Sequence, residues 1–165
     1  MQEREGEFKG AGGLRIWYRS WRPQAARAVI VVVHGLGEHG GRYANLVAEL
    51  VPRGYALYVP DLRGHGRSSG LRGHCDRFVD YVADLKSAVQ EAQTQEPGLP
   101  LFVYGHSLGG LIVLRHALER PQGARGLVIS APALRRKFAV PAGKLLLGRV
   151  MSRLWPTFTQ HSGLP

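Results

Sequence analysis

The sequence predicts an α/β fold, a parallel sheet with flanking helices, and three observations carry that expectation. Unbroken runs of β-branched residues stand where strands covered on both faces are required. Stretches with apolar residues at helical spacing alternate with them, and glycine or proline punctuates the junctions between the two. Strand–helix–strand order with short connections implies right-handed crossovers and parallel pairing. A chain of 165 residues buries one ordinary core.

The elements follow in order. Leu14 to Trp21, rich in β-branched and aromatic residues, reads as an early strand. Ala28-Val29-Ile30-Val31-Val32-Val33 is an unbroken apolar run and is expected to be a central parallel strand. Tyr43, Leu46, Val47, Leu50 and Val51 recur at helical spacing until Pro52-Arg53-Gly54 stops them. Tyr55 to Val59 is the next strand, and a long glycine-rich loop leads to a helix marked by Phe78, Val82, Leu85 and Val89 and ended by Pro97-Gly98. Leu101 to Tyr104, Leu108 to Glu119 and Gly126 to Ser130 then read as strand, helix and strand. In sheets of this kind ligands gather at the carboxyl ends of the strands.

Composition narrows the classes. The charged start, Met1-Gln2-Glu3-Arg4-Glu5-Gly6, lacks the apolar core of a signal peptide, and no run approaches a membrane span. Cys75 is the single cysteine, so no intrachain disulfide is available. A cytoplasmic location, with peripheral membrane contact, is the expectation. Six of the ten net positive charges come from Arg135, Arg136, Lys137, Lys144, Arg149 and Arg153, in a stretch after Pro132 that contains no acidic residue. No zinc-finger spacing or RNA-binding signature accompanies them. Among leucines and Trp155, they point over residues 135–155 to an anionic membrane surface rather than to nucleic acid.

Gly105-His106-Ser107-Leu108-Gly109 follows a buried strand and opens an apolar helix. That is the context of a nucleophile elbow, a sharp turn that projects a serine hydroxyl above the sheet edge. Small residues two positions either side, Gly105 and Gly109, let strand and helix approach, and the helix amino terminus faces developing negative charge. The competing reading is a glycine-rich turn that only packs closely or binds phosphate. A second signal weighs against it: Val33-His34-Gly35-Leu36-Gly37 ends the strongest strand, where backbone amides can face the elbow. Ser107 is therefore the expected nucleophile, with the Leu36 and Leu108 amides forming an oxyanion hole. His34, Gly35, Gly105, His106 and Gly109 are expected to support the two turns. His39, His65 and His74 read as loop-shaping or pocket-lining residues. Asp61, Asp76, Asp80 and Asp84 read as turn, capping and solvated helix-face residues.

Three motifs in order make a resemblance specific: His34-Gly35-Leu36-Gly37-Glu38-His39 with Arg42-Tyr43, Asp61-Leu62-Arg63-Gly64-His65-Gly66-Arg67-Ser68, and the Gly-His-Ser-Leu-Gly-Gly elbow. From Glu7 to Leu134 the chain is similar to the monoacylglycerol lipase and lysophospholipase branch of the α/β-hydrolases. The resemblance implies hydrolysis of carboxylic esters of glycerol or related lipids, without metal or cofactor. It also implies that residues 1–131 are the amino-terminal part of the core and that residues 132–165 begin a cap or lid.

The triad of this fold runs from Ser to acid to His along the chain. After Ser107 the carboxylate side chains reduce to Glu119 and the histidines to His116 and His161. Glu119 lies roughly 18 Å along the elbow helix, at about 1.5 Å per residue. Ser130-Ala131-Pro132-Ala133 offers no acid at the end of the following strand. The expectation is a chain truncated within the cap, with little activity alone. The rival is a catalytically inactive hydrolase-like module that binds a partner or ligand.

Overall fold

The computed structural model describes residues 1–119, 123–134 and 141–155. Strands β1 (Gln2–Lys9), β2 (Arg15–Arg22), β3 (Ala28–Val33), β4 (Tyr55–Pro60), β5 (Leu101–His106) and β6 (Ala124–Ser130) form one sheet in the order β1-β2-β4-β3-β5-β6. The helices are α1 (Ala44–Leu50), α2 (Phe78–Gln95), α3 (Leu108–Leu118) and α4 (Ala142–Leu154). Four strands, β4, β3, β5 and β6, are parallel as expected, with Val33 beside Gly105.

The sheet is mixed, because β2 runs antiparallel to β4 and an additional strand, β1, runs antiparallel to β2. The charged sequence of β1 concealed it. Its glutamates stand opposite basic and aromatic residues of β2: Glu7 pairs with Arg15, while Glu3 and Glu5 reach Arg19 at 3.2 and 3.0 Å. The Arg19 guanidinium in turn lies over Trp17 and Trp21. The charge alternation of β1 is thus a cross-strand ladder of stacked and paired side chains.

Alternation along β3 divides the core. Val29, Val31 and Val33 join Val103, Leu85, Val89, Ile112 and Val113 beneath α2 and α3. On the other face Val32 meets Leu57, Val59, Trp21 and Val47 beneath α1. The connection after β3 therefore runs to one face and that after β5 to the other. Adjacent parallel strands whose connections diverge in this way leave a crevice at their carboxyl ends. The two turns singled out in the sequence, after β3 and after β5, stand at that crevice.

Candidate active site

Ser107 sits between β5 and α3 with φ 51° and ψ −114°, a backbone region that disfavours any residue with a side chain. Three hydrogen bonds over-determine it. Its N–H donates to the Ser130 carbonyl at 3.0 Å, and its own carbonyl accepts from the amides of Leu111 and Ala133, each at 3.1 Å. The glycines around it leave no room for anything larger: a Cβ at Gly105 would lie 2.5 Å from the Gly109 carbonyl oxygen, and one at Gly109 only 2.1 Å from that of Val33. His106 is partly buried, with Nδ1 3.2 Å from the Ser130 hydroxyl.

The turn after β3 abuts the serine. A Cβ on Gly35 would stand 3.3 Å from Ser107 Cβ. His34 is wholly buried, and burial pushes its imidazole down to about 4. Glu38, whose place in the turn chemistry was not anticipated, accepts from the Gly35 amide at 2.8 Å and from the Tyr43 hydroxyl at 3.1 Å. Burial opposes its ionisation, but those two hydrogen bonds and the nearby charge of Arg42 hold its carboxyl below the ordinary value. Among the described residues the amides of Leu36 and Leu108 have no hydrogen-bond acceptor. The Leu36 side chain is exposed at the rim.

Two of the aspartates read as turn, capping or solvated helix-face residues are buried. Asp61 is buried and joins two loops, accepting from the Gly40 amide at 2.7 Å and the Arg67 amide at 2.8 Å. Asp84 is also buried, on α2, where it receives both Arg63 Nε and Nη2 at 2.7 Å and the Ala11 amide at 2.8 Å. The Asp84 partners lie 21 and 73 residues away, so no local pattern could disclose them, whereas Arg67 stands in the same loop motif as Asp61. Asp76 is exposed beside His74, whereas Asp80 is largely covered, between Arg77 at 2.9 Å and Arg63 at 3.8 Å.

The groups after Ser107 point elsewhere. Glu119 caps the far end of α3 and pairs with Lys86 at 2.5 Å and Arg115 at 3.8 Å. His116 is buried beside them, and that burial, with the Lys86 charge, lowers its pKa. His161 lies outside the described residues, as do Arg135, Arg136 and Lys137.

A serine on a strained strand-to-helix turn, at the divergence point of a largely parallel sheet, defines the α/β-hydrolase class. The chain belongs to the Hydrolase_4 family, described as "Serine aminopeptidase, S33", which it matches over residues 24–164. It is 37% identical over 153 residues to the monoacylglycerol lipase of Mycolicibacterium smegmatis, covering 92% of this chain and 55% of that protein. It is 35% identical over 151 residues to the monoglyceride lipase of Homo sapiens, covering 90% and 50%. The crystal structure of Paleococcus ferrophilus monoacylglycerol lipase matches it with a TM-score of 0.71 and 34% identity, over all of this chain and 56% of that one. The chain thus spans about half the length of the curated relatives it matches.

Proposed function

We propose that the protein acts as a serine esterase on monoacylglycerols or related lysophospholipid-like esters, with Ser107 as nucleophile and the Leu36 and Leu108 amides as oxyanion donors. The observation that carries the reading is the strained, triply bonded Ser107 backbone against the Gly35 turn, with both amides left without acceptors among the described residues. Strain held in place at one residue marks a site where geometry serves chemistry.

In this reading Ser107 Oγ attacks the ester carbonyl carbon while its proton passes to a histidine supplied from beyond the described residues. The carbonyl oxygen takes the charge and is met by the two amides, each worth about 3 kcal/mol in the transition state. Collapse expels the alcohol, which takes the proton, and leaves an acyl-serine. Water then cleaves it by the reverse sequence of transfers. The chemistry calls on no metal or cofactor. The lipid preference rests on what the relatives are named for, monoacylglycerol and monoglyceride lipases.

Residues 1–131 would serve as the amino-terminal part of the catalytic core and residues 132–165 as the start of a cap. Within it, α4 exposes Leu146, Val150 and Leu154 at four-residue spacing, with Leu147 beside them. Lys144, Arg149 and Arg153 lie on the same helix. Together they suit a cytoplasmic protein that touches anionic lipid surfaces. No described helix is long and apolar enough to cross a membrane.

The direct test is hydrolysis of p-nitrophenyl butyrate and a monoacylglycerol by the intact enzyme and its Ser107→Ala variant. Almost all activity should disappear. Substantial turnover by a clean variant would overturn the nucleophile assignment. A second reading, a binding module without catalysis, is favoured for residues 1–165 alone by the placement of Glu119 at the far end of α3 and of His116 buried near it, both away from Ser107. Turnover by that chain should lie near the residual about 10³ to 10⁴ over water that a site without its base retains.

A further inference from the structure

The peptide unit joining Gly35 to Leu36 is fastened on one side. Its carbonyl accepts from His34 Nδ1 at 2.7 Å and from the Glu38 amide at 3.3 Å. The other ring nitrogen fixes the tautomer. The Leu62 amide lies 2.9 Å from His34 Nε2, and an amide can only donate, so Nε2 presents its lone pair and the ring proton resides on Nδ1. Burial keeps the ring neutral, as this arrangement requires.

In a trans peptide the carbonyl and the following N–H point in opposite directions. A carbonyl held on His34 therefore turns the Leu36 N–H away from His34, on a turn whose Gly35 abuts Ser107. The lock has something to oppose. Gly35 has no Cβ to resist rotation about its own backbone bonds, and Gly37 already has φ 72°. Rotation of that single peptide would present a carbonyl oxygen where a donor is needed. The preceding peptide is held separately, by the Glu38 carboxylate on the Gly35 amide.

We propose that His34 is a positioning residue for the oxyanion hole: its Nδ1–H locks the Gly35–Leu36 peptide so that the Leu36 N–H is offered to the reacting oxygen, and the Leu62 amide enforces the required tautomer. This rests on the reading of Leu36 as an oxyanion donor. It extends that reading to the side chain that decides which way the donor faces.

Two substitutions separate the lock from simple filling of space. Asn places an amide nitrogen near the Nδ1 position, whereas Gln reaches toward the Nε2 position. His34→Asn should keep the donor to the Gly35 carbonyl, and His34→Gln should lose it. On the purified chain, nitrogen-15 NMR of wild-type His34 should show the Nδ1–H tautomer, and residual dipolar couplings should show the Leu36 N–H reoriented in His34→Gln but retained in His34→Asn. In the intact enzyme, the rate at which a fluorophosphonate labels Ser107, followed by intact mass, should fall about 10²-fold in His34→Gln and change less than tenfold in His34→Asn. An Nε2–H tautomer, an unmoved Leu36 N–H in His34→Gln, or equal labelling losses in both variants would overturn the lock. If His34→Gln fails to fold, the wild-type tautomer and the His34→Asn couplings still decide. Absence of labelling in the wild-type intact enzyme, which supplies the base, would count against the nucleophile reading alone, since tautomer and couplings are read without it.

Discussion

Replacing Gly109 by alanine tests the closest approach to backbone atoms among the described glycines. The added methyl would lie 2.1 Å from the Val33 carbonyl oxygen and 2.7 Å from that of His34. Both are backbone atoms, and β3 is paired with β4 on one side and β5 on the other, so the strand cannot retreat alone. Ordinary contact needs about 3.5 Å, which asks α3 to move back by more than about 1 Å. Overpacking of this kind costs about 3 kcal/mol, the upper part of its usual range. For a domain of this size that lowers Tm by about 6–12 °C. The same displacement moves Ser107 against the Gly35 turn, and a misplacement of about 1 Å costs the active enzyme about 10² in kcat. Gly143→Ala supplies the control, because its Cβ would meet nothing within 4 Å and it lies inside α4. It should be neutral or stabilising by up to about 1 kcal/mol. Thermal and urea melts followed by tryptophan fluorescence read both. A Gly109→Ala chain that melts with the wild type would refute the close packing of elbow helix on β3.

Two further outcomes follow from the site and from α4. His34 has a folded pKa of about 4 against an ordinary 6.5, so the unfolded chain binds the proton more readily. Its contribution is complete above about pH 6.5 and is lost as pH falls toward 4, by about 3 kcal/mol at about 1.4 kcal/mol per pH unit. Urea midpoints for wild type and His34→Asn should converge on acidification, and parallel curves would contradict this. The exposed stripe of Leu146, Leu147 and Leu154 beside three cations should carry the chain down with anionic vesicles, less so as salt rises. Equal sedimentation with neutral vesicles would leave only a hydrophobic contact.

The parallel strands and the elbow were legible because their signals are local. A β-branched run such as Val29 to Val33 declares burial on both faces, and a serine between glycines at the start of a helix declares a sharp turn. What escaped depends on partners distant in sequence. β1 reads as a charged start until Arg15 and Arg19 are set opposite its glutamates. Asp84 reads as a solvated helix position until Arg63 and the Ala11 amide are brought to it. Glu38 was visible within a motif, but only the folded turn shows that its carboxylate holds the Gly35 amide.

The bonds from Ser107 to the Ser130 carbonyl and the Ala133 amide also decide where the chain tolerates surgery. Ser107 and the exit from β6 are one fastened piece, with Ala131 itself at φ 42°. Extra residues spliced between Ser130 and Ala133 would therefore be felt first at the serine, although they enter a surface turn. The turns at Gly12–Gly13 and at Gly98 have open space around each glycine, and there a tag, a linker or new termini could be introduced without touching the elbow.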